Sequence, residues 1–381
     1  MTDRLMTLLR SEAETLDVPP APTAEILGTG RRLHRRRTLT IWGAAALTVV
    51  LAGGGVAVAL TGSDGPDVAP APSDSTTPTG PFAWSIDDRV YLGAEARAVQ
   101  MPEVAQTLYY TSAGVLVRTN KDGASDGGAP FHFELVTPDG TATRLGVTLG
   151  DVVPSADPTE PYLAWATMDG DRIQVVVHDV ATDRDVATVD VPGTFTWGGW
   201  SAPPVSLSGD RVFVTLDDST AVVDWRTGAT TTSSVLPGGV FPEVSGGRTV
   251  RVQGRSSDHP TAEVVDAATG SDLLDIAVSR FDQVTLSPDG RFAMVASAGP
   301  VDPRSQSQDQ STEVYDVNAG THVQVDLSPF DGGWTPQDDL FNVHGDRLTM
   351  CSAATGACRS STVPKATGKG FVRYTGRVYE S

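Results

Sequence analysis

The stretch EVVDAATGSDLLDI, running from Glu263 to Ile276, decides the fold. Apolar and polar residues alternate on both sides of a tight turn at Gly270. A period of two is strand spacing. Glycine at the turn supplies the positive φ that tight hairpins need. The pattern recurs as AVVDWRTGATTTS from Ala221 and EVYDVNAGTHVQVD from Glu313. Weaker copies are FELVTPDGTATRL from Phe133, VVVHDVATDRDVATV from Val175, TMCSAATGACRSS from Thr349 and RVYLGAEARAVQ from Arg89. Their turn residues are Gly93, Gly140, Asp183, Gly228, Gly270, Gly320 and Gly356, spaced by 47, 43, 45, 42, 50 and 36. A period of about 44 residues with several short strands per unit marks the blades of a β-propeller.

A second landmark shares this period. A Gly/Asp–Arg turn followed by an apolar run appears as SGDRVFVTL, SGGRTVRVQ, SPDGRFAMVAS, HGDRLTM and TGRVYES. With both landmarks, each unit reads as four strands joined by three turns. The 25 residues after Gly356 and the 12 from Pro81 to Gly93 make nearly one more period. The C-terminal FVRYTGRVYES is therefore expected to give the inner strands of a shared blade, and RVYLGAEARAVQ its outer strands. Such closure removes exposed edges. The expectation is an all-β, seven-bladed propeller over residues 81–381, with six and eight blades as alternatives because the last units are irregular.

LSPDGRFAMVAS followed by VYDVNAGTHVQV resembles the repeat of WD-like, TolB-like propellers. Ser287, Pro288, Asp289, Gly290, Arg291 and Phe292 carry the first half of that motif; Tyr315, Asp316 and Gly320 carry the second. The Trp-Asp signature of eukaryotic WD repeats is absent apart from an inverted Asp224-Trp225. The whole layout is similar to single-pass actinobacterial membrane proteins with an external propeller. Three Lys against 25 Arg fits that resemblance. Some proteins of that layout act beside extracytoplasmic-function sigma factors.

The layout begins with charge. Residues 1–37 hold seven Arg and five acids, net +2, so the rest of the chain carries -19 - 2 = -21. Arg31, Arg32, Arg35, Arg36 and Arg37 abut a run without charge from Thr38 to Gly62. Leu39 to Leu60 would span roughly 33 Å as a helix at about 1.5 Å per residue, enough for a bilayer core of about 30 Å. Residues 38–62 therefore read as one transmembrane signal anchor. The Arg excess places the N-terminus in the cytoplasm and the propeller outside. A cleaved signal peptide is the rival reading, but its apolar core is normally about 7–15 residues. The tail, 1–37, starts with a short amphipathic helix carrying Leu5, Leu9 and Leu16, ended by Pro19 and Pro20. Such a helix is marginal alone, which points to a cytoplasmic partner protein or the membrane surface. Residues 63–80 form a Pro/Ser/Thr-rich linker.

The acid excess argues against a nucleic-acid partner. No nucleophile elbow, phosphate loop, dinucleotide fingerprint or zinc motif is present, so neither cofactor nor metal is expected. His34, His132, His178, His259, His322 and His344 are scattered. Acid pairs at Asp87-Asp88, Asp169-Gly170-Asp171, Asp217-Asp218 and Asp338-Asp339 read as turn chemistry, with calcium at one of them as the alternative. Cys351 and Cys358 align with Val265 and Asp272 of the Gly270 unit, on paired strands of one hairpin, and are expected to form a disulfide outside the cytoplasm. Trp197, Trp200 and Trp334 lie in Gly-rich segments read as connections between blades, where an aromatic either anchors a ligand or packs between blades. These features point to a non-catalytic module that binds or senses a protein, peptide or envelope polymer outside the cell. A propeller hydrolase or lyase with a dispersed site is one alternative. A regulator whose tail contacts a sigma factor is another.

Overall fold

In a computed structural model, the described residues are 80–376 except 125–127, 197–199, 255–259, 280–281, 302–307, 329–330, 366–367 and 369. The tail, the anchor and nearly all of the linker lie outside them. Among the described residues no helix is long and apolar enough to cross a membrane.

The strands form seven antiparallel sheets arranged as blades. The first blade holds β1 (Ala83–Ile86), β2 (Arg89–Leu92) and β3 (Arg97–Gln100). The second holds β4 (Val104–Thr111), β5 (Gly114–Asn120), β6 (Phe131–Val136) and β7 (Ala142–Leu149). The third holds β8 (Ser155–Ala156), β9 (Tyr162–Asp169), β10 (Arg172–Asp179) and β11 (Arg184–Val191). The fourth holds β12 (Val205–Ser208), β13 (Arg211–Thr215), β14 (Ser219–Asp224) and β15 (Ala229–Pro237). The fifth has three strands, β16 (Arg248–Gln253), β17 (Thr261–Asp266) and β18 (Asp272–Ala277). Its expected first strand is reduced to a single bridge between Ser245 and Arg248. The sixth holds β19 (Gln283–Leu286), β20 (Phe292–Val301), β21 (Gln308–Asp316) and β22 (His322–Val325). The seventh holds β23 (Gly333–Trp334), β24 (Leu340–His344), β25 (Arg347–Cys351) and β26 (Cys358–Thr362).

The final strand, β27 (Arg373–Tyr374), pairs with β1 and closes the ring. Among the described residues one strand from the C-terminus and three from the N-terminus make this blade, so β1, and not a second C-terminal strand as expected, lies next to β27. In β1 the sequence AWSI shows no alternation because all four residues are buried. A strand flanked on both faces has no solvent side to keep polar.

First strands line the middle. The first strands of neighbouring blades lie against one another, β4 against β8 and β8 against β12. Fourth strands face solvent, as the alternating exposure of β7 and the fully exposed β26 show. Between them, apolar clusters sit between blades and not within them. One joins the second, third and fourth blades through Phe133, Val175 and Val214. Another joins the seventh, first and second through Phe341, Trp84 and Leu108. Each sheet thus buries both faces against its neighbours, the driving term for ring assembly.

All seven turn residues aligned above have positive φ, from 54° at Asp183 to 80° at Gly140. In the fourth, fifth and sixth blades, the aspartate of the motif explains its own spacing. Asp224, Asp266 and Asp316 each cap the turn through Oδ1, which accepts N–H groups such as Thr227 N, Thr269 N and Asn318 N at 2.7–3.0 Å. Their carbonyls accept the N–H of Gly228, Gly270 and Gly320. These bonds hold the Asp224 carboxyl below the usual carboxylate range, the Thr227 N–H contributing most. The second landmark is less uniform than expected. SGDR, SGGR and SPDGR join first and second strands, whereas HGDR joins β24 to β25, the second and third strands of its blade.

Successive antiparallel strands give the ring two faces. One, the turn face, carries the first-to-second and third-to-fourth turns. The other, the crossover face, carries the second-to-third turns and the connections between blades. The chain enters β1 and leaves β27 on the turn face, where Gly93 N donates to Phe82 O at 2.8 Å and Trp334 N to Thr375 O at 3.2 Å.

Candidate functional site

A cleft of about 560 Å³ opens between the second and third blades, walled by β7 on one side and by β9 and β10 on the other. Its walls include Trp165, Met168, Thr148 and Thr167, with Ser201 from the next connection. His178 supplies the polar centre. The hairpin around Asp183 places it opposite Asp185, with the register shifting between Val177 and His178. The ring is nearly enclosed, with 5% of the side chain exposed. Nδ1 lies 2.8 Å from Asp185 Oδ1 and Nε2 lies 3.1 Å from Asp183 Oδ1. Both ring nitrogens therefore face a carboxylate oxygen.

Asp183 also crosses the cleft. Its two carboxylate oxygens accept the Gly146 N–H of β7, at 2.9 and 3.0 Å. It occupies the left-handed turn position that glycine fills in the six other blades. Aspartate tolerates that conformation better than most residues, and here its side chain clasps one blade to the next. Alternation does separate His178 from Asp179. The partners missed from sequence lie across the turn, and the signal was the hairpin spacing itself: with the turn at Asp183, residue 178 faces 185.

A second polar cluster lies on the opposite face of the second blade. His132 Nδ1 is 2.7 Å from Glu103 Oε2, and Arg144 Nη1 is 3.3 Å from Glu134 Oε1. Burial pushes the Glu134 carboxyl up, against the pull of Arg144.

Of the sequence-derived candidates, Trp197 lies outside the described residues. Trp200 sits in a blade-to-blade connection on the crossover face, half-buried, edge-on to Phe241 with centroids 4.9 Å apart. Trp334 corrects the expectation of a loop position: it lies in β23, is 2% exposed, and packs between the sixth and seventh blades. The Gly-Gly preceding it reads as a loop but gives the room this first strand needs. A Cβ on Gly333 would collide with the Thr375 carbonyl. Cys351 and Cys358 are disulfide-bonded across β25 and β26. Three acid pairs, Asp87-Asp88, Asp169-Gly170-Asp171 and Asp217-Asp218, each lie in a turn between two consecutive strands of one blade, on the crossover face. Asp338-Asp339 lies on the turn face, between β23 and β24.

No protein-family model matches the chain, and no curated protein is similar to it in sequence. Several solved structures align with most of the chain at low identity. Apo AztD from Citrobacter koseri aligns with TM-score 0.45 and 13% identity, covering 79% of this chain and all of that one. A putative 6-phosphogluconolactonase from Bacteroides fragilis aligns with TM-score 0.41 and 12% identity, over 80% of this chain and 99% of that one. An uncharacterized protein from Listeria monocytogenes gives TM-score 0.44 and 10% identity, over 77% and 97%.

Proposed function

We propose that the chain is a single-pass membrane protein that holds a TolB-like propeller outside the cell and binds a ligand without turning it over. Its partner outside is a protein, peptide or envelope polymer, and the cleft between the second and third blades is the receiving site. The observation that carries this reading is the double engagement of His178. A catalytic imidazole keeps one nitrogen for the reacting group while a carboxylate orients the other. Here both nitrogens are taken, by Asp185 and Asp183. The ring acts as a fixed strut in a wall of apolar and hydroxyl side chains, the usual make-up of a binding pocket. The uncharged span at 38–62 behind its Arg cluster supports the anchored topology, as does a disulfide, which persists in oxidising compartments. The tail supplies the cytoplasmic contact, and a sigma factor is its candidate partner.

The test uses the full-length chain in lipid nanodiscs, incubated with a panel of envelope-derived peptides and saccharides. The expected result is a rise in melting temperature with at least one member, recovered chemically unchanged. Thr167→Trp, which fills the cleft, abolishes the rise. Conversion of any member to product by the parent but not by His178→Ala would overturn the binding reading in favour of an enzyme.

A further inference from the structure

The two cysteines of the chain stand in opposite surroundings. Cys351 ends β25, is fully buried, and packs in the apolar cluster between the sixth and seventh blades. Cys358 begins β26, whose residues are all exposed. Every other fourth strand buries at least one side chain. The bridge therefore runs from the core to the surface of one hairpin.

The hairpin does not depend on that bridge. A ladder joins β25 to β26 from Arg347 opposite Thr362 to Cys351 opposite Cys358. At the turn, Ala353 is buried and Gly356 N donates to Ser352 O at 2.8 Å. A Cβ on Gly356 would lie 2.7 Å from Gln324 O of β22, so the turn lies flush on the sixth blade. At the far end Val363 is buried, and its N–H donates to Asp346 O at 2.8 Å. The fifth blade supplies the comparison. There Val265 and Asp272 face one another at the same positions, the first fully buried and the second with its side chain 69% exposed. The repeat thus builds this inside-to-outside hairpin from ladder and packing alone. A bridge that closes so short a loop adds little to it.

The asymmetry fixes how the bridge can react. Thiol–disulfide exchange begins when a thiolate reaches one of the two sulfurs. Only Cys358 faces the solvent from which a thiolate comes. Attack at Cys358 Sγ breaks the S–S bond, and the electron pair leaves on Cys351 Sγ, which takes a proton from water. The mixed disulfide on Cys358 then sits opposite a sulfur that the ladder holds in place, at high effective concentration. Cys351 gives up its proton, attacks Cys358 again and expels a monothiol. A dithiol escapes this recapture. Its second thiol attacks its own sulfur in the mixed disulfide, closes a cyclic disulfide, and releases Cys358 as a thiol. Two electrons and two protons pass from the dithiol to the cystine.

We propose that Cys351 and Cys358 form a reversible redox couple that dithiols open and monothiols do not, presenting Cys358 as a surface thiol on a propeller that stays folded. This couple is independent of the ligand assigned to the cleft. The full-length chain in detergent micelles is treated with dithiothreitol or, at equal thiol concentration, with reduced glutathione. It is then labelled with N-ethylmaleimide over time and mapped by mass spectrometry. Dithiothreitol is expected to open the bridge and leave the cooperative thermal transition in place. Cys358 should then label roughly tenfold or more faster than Cys351. Glutathione should leave the bridge closed, and exchanging dithiothreitol for oxidised glutathione should restore it. In Cys351→Ala, which lacks the recapturing sulfur, oxidised glutathione should leave a lasting adduct on Cys358. The measurements on the parent decide the matter even if that variant does not fold. Opening only in denaturant, equal labelling of the two cysteines, or a lasting glutathione adduct on the parent each overturns the proposal.

Discussion

The side-chain oxygens of Tyr110 and Thr375 lie 2.5 Å apart, although 265 positions separate the residues in the chain. Tyr110 donates its own proton to Trp334 O at 2.7 Å, so its oxygen accepts from Thr375. Thr375 Oγ1 also lies 2.8 Å from Ala83 O and accepts from Ala83 N at 3.3 Å. Together these two buried hydroxyls join the seventh, first and second blades where the ring closes. Thr375→Val is expected to cost about 1–2 kcal/mol, and Tyr110→Phe a similar amount, since each leaves a buried polar group without its partner. The double variant should cost clearly less than the sum. Urea unfolding of the three variants measures this; strict additivity would show that the two hydroxyls do not act together.

Raising the pH should weaken the molecule at Asp338. Burial, and then the charge of Asp289, pushes the Asp338 carboxyl up to about 8 from an ordinary value of 3.8. Between those values the folded state holds a proton that the unfolded chain has released. Stability from this group is full below about pH 4 and is lost as the pH rises through about 8. The melting temperature of Asp338→Asn relative to the parent is expected to climb steadily from pH 5 to pH 8.5. The asparagine variant should end above the parent by about 1–2 kcal/mol. A difference that does not change with pH would remove Asp338 from the titration.

Two turn glycines should respond differently to alanine. Gly228, at φ +76°, has open space where a Cβ would stand, and Gly228→Ala should cost about 1 kcal/mol from conformation alone. Gly246, at φ +53°, points at the Asp289 carbonyl oxygen of the next blade, and a Cβ there collides with backbone. Gly246→Ala should cost about 3 kcal/mol or more, because two blades must part. Equal melting temperatures for the two variants would contradict this packing.

The disulfide closes a short loop, with Cys351 and Cys358 seven positions apart. Its effect on the unfolded chain is therefore small, about 2 kcal/mol. Cys358 is exposed while Cys351 is buried. Reduction by dithiothreitol is expected to proceed on the folded propeller and to lower the melting temperature by only a few degrees. Loss of the cooperative transition on reduction would mean that the bridge holds the ring shut.

The repeat was legible because it rests on local chemistry. A turn that needs positive φ takes glycine, and a capping carboxylate takes the position four residues earlier, so Asp266 and Gly270 announce one another. The same logic hid three features. Asp183 fills the turn position without glycine because its side chain has a partner in another blade. The turn at Asp338 lacks the Ser-Pro-Asp-Gly lettering of its neighbour although its backbone repeats the conformation. Trp334 looked like a loop residue because β23 is only two residues long. In each case the deciding contact comes from a different blade, and alternation within one hairpin carries no record of it. The cleft is illegible for the same reason, being built between sheets.

The placement of the two chain ends has a mechanical meaning. Strand β1 begins on the turn face and is flanked by β27 on one side and β2 on the other. A pull at Gly80 directed away from that face runs along β1, so both ladders are loaded in shear and their bonds resist together rather than one after another. Thr375 sits at the loaded end of this strand. The residue that shuts the ring is thus also the one that such a pull would load first.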